Sequence, residues 1–236
     1  LMEAFGFQIE VKRTGRKKSA SISISGNLVK ITVPKSLSDD SVRDLIHLRA
    51  PWIKRKFKEQ SLRPISKAKE YVSGEIYLYL GSEYHLKVLN GEEESIKMVG
   101  GYLVATIPAC ETNRRKRVEL LLEGWYQRQA DRLLKDKTDR LAKIVGVCPR
   151  SVSIKSYKSR WGSCSSNGEL TYNWRIILAP HRIIDYVVLH ELCHLLEHNH
   201  SVRYWAHVER HAPDWRGCRD WLRHNQQVLG MGNERI

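Results

Sequence analysis

The stretch Asp185 to Trp205, DYVVLHELCHLLEHNHSVRYW, constrains this chain more than any other part of it. His190, Glu191 and His194 form H-E-x-x-H inside an apolar run. On a helix, residues four apart share a face one turn apart, so the two imidazoles can converge on one ion. The flanking Ile183, Ile184, Val187, Val188, Leu189, Leu192, Leu195 and Leu196 leave almost no polar face, as expected of a helix through a domain centre. Two imidazoles and a carboxylate are costly to bury there without a partner, which argues against core histidines on a purely structural helix. Tetrahedral Zn²⁺ accepts imidazole nitrogen, and a catalytic site needs three protein ligands plus an open position. Glu191 directly follows the first ligand, where its carboxylate can act on a water molecule as general base without coordinating the ion.

The third ligand requires a bend. His200 lies six residues past His194, about 600° around an unbroken helix and therefore facing away. The helix must end first, and Asn199 tolerates the left-handed conformation that reverses a chain at helix termini. His200 is the first choice on this reading, with Glu197, His198 and Glu209 as competitors. A three-imidazole set and a two-imidazole-plus-carboxylate set are equally sound chemistry.

The pattern His190-Glu191-Leu192-Cys193-His194, then His200-Ser201, then Tyr204-Trp205, follows three other segments: R160-W-G-S-C-S165, N173-W-R-I-I-L-A-P180 and D185-Y-V-V. Together they resemble the YgjP-like metallopeptidase family, relatives of the SprT and WLM zincins. The resemblance runs over most of the chain and is densest from Lys158 to Trp221. It implies a compact zincin catalytic domain, zinc held by His190, His194 and His200, and Glu191 as catalytic glutamate. It also implies hydrolysis, of peptide bonds or of nucleotide pyrophosphate bonds. Tyr204 departs from the pattern, standing where Phe is usual.

A chain of 236 residues suits one large or two small domains, and 42% hydrophobic with 28% charged residues is the composition of a globular protein. Five scattered cysteines without a C-x-x-C pair argue against a disulfide framework. With no signal-like N-terminal stretch and no run of roughly 18 apolar residues, the reading is cytoplasmic with no membrane association. The net charge of +14 attracts nucleic acid or acidic partners by long-range steering. Its basic runs are Lys12 to Lys18, Lys54 to Lys58, Arg114 to Arg117 and Lys155 to Arg160, and the plain alternative is that they are solvated faces.

Period-2 alternation marks strands at 7–11, 20–24 and 28–33, with turns at Gly15 and Gly26-Asn27, read as an antiparallel meander. Ser38, Asp39 and Asp40 start a helix to about Glu59, with a break expected at Pro51. Residues 62 to 74 read as a linker. Alternation returns at 76–80, 84–89, 95–99 and 102–107, with hairpin signals at Gly81-Ser82, Asn90-Gly91 and Gly100-Gly101. A long helix follows from Asn113 to Gly146 and is expected to pack behind the metal helix. Strands at 152–157 and 170–174 come next, the second being the candidate edge for a substrate added as a strand. Pro180 opens the metal helix, and amphipathic helices span 201–211 and 214–227. No internal repeat is visible. The fold class is α+β: an N-terminal antiparallel β-rich region over 1–112, then a zincin-like helical and sheet catalytic domain over 113–236.

Three functions fit these residues. The first is a zinc metallopeptidase in which Glu191 moves the proton and Arg160, Tyr172 or Tyr204 contacts substrate and stabilises the oxyanion. A nucleotide phosphohydrolase would use the same site, with Lys155, Lys158 and Arg160 holding phosphates. A nucleic-acid-binding module with structural zinc would gain nothing from a carboxylate at position 191. Trp161 and Trp174 read as core anchors, and Cys164 as an inert thiol or a metal-proximal one.

Overall fold

Two four-stranded sheets in this chain have the same pairing pattern, a repeat that the sequence does not display. The computed structural model describes residues 2–4, 7–16, 19–25, 28–61 and 69–231, in two compact units, Leu1–Ile65 and Ser66–Ile236. The expected Gly26-Asn27 turn and positions 62–68 of the expected linker lie outside the described residues. In the first unit, β1 (Met2–Ala4), β2 (Phe7–Thr14), β3 (Ser21–Ser25) and β4 (Leu28–Pro34) lie in the order β1-β2-β4-β3. In the second, β5 (Ile76–Tyr79), β6 (Ser82–Asn90), β7 (Ser95–Val99) and β8 (Tyr102–Ile107) lie in the order β5-β6-β8-β7. The central pairs β2·β4 and β6·β8 are parallel and the flanking pairs antiparallel.

These sheets correct the expected meander. Alternation decides which side chains face the core, but burial decides which strand takes the middle. Val29, Ile31 and Val33 of β4, and Leu103, Ala105 and Ile107 of β8, are all fully buried, and each of these strands lies between two others. Asn90-Gly91 therefore begins a crossover rather than a hairpin. The hairpins at Gly81-Ser82 and Gly100-Gly101 do form.

The first unit packs α1 (Asp39–Ser61) on its sheet, with Ser38 Oγ accepting the Ser41 amide at 3.2 Å. The expected break at Pro51 is absent: the helix is continuous. Pro51 is exposed, while Val42, Ile46, Ala50 and Ile53 are buried. Val42, Ile46 and Ile53 share a core with Ile9, Val29 and Ile31. That apolar stripe offsets the one backbone bond that proline removes.

The division between units falls at 65/66 rather than at 112/113. Leu86, Leu103, Ala105 and Ile107 share a core with Val118, Leu122, Ile183 and Val188, so β5 to β8 belong with the helices that follow. Helix α2 (Arg114–Val145) starts where Asn113 Oδ1 accepts the Lys116 amide and stops at Gly146, which is left-handed with its N–H on Ala142 O. It packs against α3 (His181–Cys193), and the buried Lys137 Nζ donates to Asp185 Oδ1 at 2.5 Å across that seam.

A docked turn sets the start of α3. The amides of Leu80 and Gly81 donate to Ile177 O and Leu178 O at 2.8 and 3.2 Å, in the 3₁₀ segment Trp174–Leu178. A Cβ on Gly81, whose φ is +82°, would stand 2.7 Å from Pro180 Cγ, so this position needs glycine for both conformation and space. A three-stranded sheet completes the unit: β9 (Ser151–Lys155), β10 (Gly162–Cys164) and β11 (Glu169–Asn173), in the order β10-β11-β9. Helices α4 (Val202–His211) and α5 (Trp215–Asn225) close the chain. Among the described residues no helix is long and apolar enough to cross a membrane.

Candidate metal centre

Helix α3 is buried on nearly every side, so its polar residues lie where the surrounding structure puts them. His190 and His194, one turn apart, project from its C-terminal end. The helix then tightens: His194, Leu195 and Leu196 donate their amides to the carbonyls of Glu191, Leu192 and Cys193, each three residues back. The Ser201 amide next bonds Asn199 O at 2.7 Å, a three-residue turn centred on His200. The reversal expected of a left-handed Asn199 is thus made differently, since the described non-glycine residues with positive φ are Tyr71 and Leu80. Ser201 Oγ then accepts the Tyr204 amide and starts α4.

The result brings His190, His194 and His200 together, with one ligand nitrogen from each within 4.8 Å of the others. His190 Nε2 and His200 Nε2 are 3.3 Å apart. Metal–nitrogen bonds of roughly 2.0–2.1 Å give a tetrahedral edge of about 3.3 Å, which the His190–His200 pair matches. His194 Nδ1 lies 3.2 Å from Glu197 O, which holds the proton on Nδ1 and turns the Nε2 lone pair to the centre. Burial, then the neighbouring His194 and His200, lower the pKa of His190 to about 3. Burial also lowers those of His194 and His200, so all three rings stay neutral, as metal ligands must. The competing candidates are placed otherwise. Glu209 pairs with Arg216 at 2.8 Å, Glu197 contributes only its carbonyl, and His198 lines the nearby cavity without joining the group.

Aromatic rings hold the imidazoles. Tyr204 stacks on His194 at 4.4 Å, and Trp205 stacks on both His200 at 5.5 Å and Trp215 at 4.2 Å. Two substrate-contact candidates are corrected here. Tyr204 is fully buried and its hydroxyl donates to His190 O at 3.0 Å; Tyr172 is fully buried with its hydroxyl 3.2 Å from Thr138 Oγ1. Neither offers its hydroxyl to substrate. Tyr204→Phe is expected to keep its metal and lose about 1 kcal/mol, the net value of a hydrogen bond, in denaturant unfolding.

A cavity of about 570 Å³ opens beside the imidazoles, lined by Arg160, Trp161, Gly162, Cys164, Glu191 and the three histidines among others. Glu191 is buried, and its carboxylate lies against the main chain of Gly162. Cys164 is protonated, its pKa raised to about 11 by burial and then by Glu191, so it is no nucleophile. The edge candidate also changes. β11 is paired on both sides, and β10, on its outer side, is the edge strand lining the cavity. Three residues of Gly-Ser-Cys are too short for alternation to reveal, and the only sequence sign was the glycine itself.

Three neutral imidazoles around one point, with a buried carboxylate adjoining, are a group that could hold a divalent metal beside a proton acceptor. The chain belongs to the YgjP-like metallopeptidase family, whose metallopeptidase-domain model matches residues 18–225. Among solved structures it is similar to the metallopeptidase zymogen abylysin of Pyrococcus abyssi. That match is 22% identical, with a TM-score of 0.37, over 42% of this chain and 98% of that one. It is also similar to the zymogen jannalysin of Methanocaldococcus jannaschii, 18% identical, with a TM-score of 0.36, over 40% and 96%. No curated protein sequence matches the chain.

Proposed function

We propose that this protein is a zinc metallopeptidase that cleaves extended polypeptide, His190, His194 and His200 holding the ion and Glu191 serving as general base. The observation that carries this reading is the Glu191 carboxylate, buried beside the three imidazoles and in contact with an edge strand. A zinc ion at the three nitrogens supplies Lewis acidity at the scissile carbonyl and acidifies water. Glu191 takes the proton from the attacking water and delivers it to the leaving amine nitrogen.

Substrate binding follows from the pairing of β10. The Asn173 amide bonds Trp161 O and the Ser165 amide bonds Glu169 O, so positions 161, 163 and 165 face β11. In an antiparallel ladder the alternate positions turn their N–H and C=O outward, here those of Gly162 and Cys164. A substrate strand bonded to them gains affinity that is tolerant of its sequence. Arg160, the sequence candidate in the cavity wall, is the one assigned to stabilise the oxyanion.

The phosphohydrolase reading has less support. Arg160 lines this cavity, but Lys155 lines a separate one and Lys158 neither. Five unpaired cysteines support a reducing, cytoplasmic compartment, and the charge of +14 supports attraction to acidic partners or nucleic acid. The test assays purified protein on dye-labelled unfolded casein and, separately, on ATP, each with chelator and with zinc restored. Casein cleavage that chelator abolishes and zinc restores is expected. Chelator-sensitive phosphate release with casein left intact would replace this reading with the phosphohydrolase.

A further inference from the structure

Gly162 has no conformational need to be glycine: its φ lies outside the left-handed range. Within a strand, glycine is less stable than alanine by roughly 0.5–1 kcal/mol, so some other demand must keep side-chain atoms out. The structure identifies that demand. A Cβ built on Gly162 would meet Glu191 Oε1 at 2.6 Å, Cγ at 2.7 Å and Cδ at 2.9 Å, and these are its three nearest heavy atoms. Real Cβ atoms essentially never come within 3.0 Å of a neighbour.

The carboxylate end borders the cavity, but Cγ, one bond from the Cβ on helix α3, is also within 3.0 Å, so relief requires the whole Glu191 side chain to turn away from β10. Glu191 is buried on the fully packed helix α3. Cys164 follows Gly162 by two residues, so it shares that face of β10, and Tyr172 is the cross-strand partner of Gly162. Position 162 is also where the main chain turns its N–H and C=O outward to the cleft. One residue therefore meets the base on one side and offers backbone bonds on another.

We infer that Gly162 is a positioning residue: the bare backbone of β10 is the stop against which the Glu191 carboxylate is set, at the height of a substrate strand bonded to that same backbone. This rests on the proposed role of Glu191. It explains a glycine in the sheet without appeal to a turn, and it ties substrate register to the base through one peptide unit. A side chain at 162 displaces the base while leaving the three imidazoles, which lie on α3 and the turn after it, in place.

The test is a double-mutant cycle read in two ways. With Glu191 present, Gly162→Ala is expected to lower Tm by roughly 3–10 °C, the overpacking range for a chain of this size. It should also cut casein turnover at least about 100-fold with zinc still bound one per chain. In the Glu191→Ala background, where all three clashing atoms are gone, the same Gly162→Ala change is expected to leave Tm unchanged or raise it. An equal loss of Tm in both backgrounds, or casein turnover by Gly162→Ala at the parental rate, overturns the inference. If Gly162→Ala alone does not fold, recovery of a folded Gly162→Ala/Glu191→Ala protein supports it, and failure of the double variant to fold overturns it. Parental turnover by Glu191→Ala would remove the proposed base while the Tm coupling stood, so the two ideas fail separately.

Discussion

Glu191→Gln is expected to bind one zinc per chain, melt within a few degrees of the parent, and turn over unfolded casein roughly 10²–10⁴-fold more slowly. The amide matches the carboxylate in shape, so it still fits against Gly162 and leaves the packing of α3 intact. What it loses is the ability to accept a proton. A drop in kcat with KM little changed is the signature of an interaction made in the transition state rather than in substrate binding. Metal analysis beside steady-state kinetics decides the matter: a Gln variant as fast as the parent would remove Glu191 from the chemistry.

His200→Ala is expected to lower zinc affinity by more than the roughly 10–100-fold that loss of a second-shell partner costs, because a direct ligand is removed. Two imidazoles one turn apart remain, and neither Glu209, paired with Arg216, nor His198 is positioned to replace the third. The Trp205 ring also loses one of its two stacking partners and keeps Trp215. Competition against a chromophoric chelator measures the affinity, and excess zinc should recover part of the turnover. Glu209→Ala is the informative companion, expected to hold zinc as the parent does. Zinc loss in Glu209→Ala with retention in His200→Ala would reverse the assignment of the third position.

How much of this was legible depended on distance along the chain. That His190 and His194 come together follows from helical spacing, four residues making about one turn. The ends of α2 were equally readable, because Asn113 and Gly146 act through backbone groups three and four residues away. His200 was reachable only by arguing that the helix must stop, and the way it stops was misread: a tightened last turn and a three-residue turn, not a left-handed Asn199. Tyr172 and Tyr204 were chosen for their hydroxyls, yet both face inward, where burial raises the phenol pKa and a neighbouring polar group engages the oxygen. A residue list does not say which way a ring faces.

By itself the sequence determined most of the elements and the spacing of polar residues on one helix: alternating strands, capped helices, two imidazoles and a carboxylate. These depend on interactions between residues a few positions apart, which periodicity records. Only the tertiary structure decided that β4 and β8 take inner places in their sheets, that β10 is the edge strand beside the cavity, and that Gly162 meets Glu191 from 29 positions away. Those outcomes come from the competition of the whole chain for burial, where the most apolar strand takes the middle and a short polar one is left at the rim.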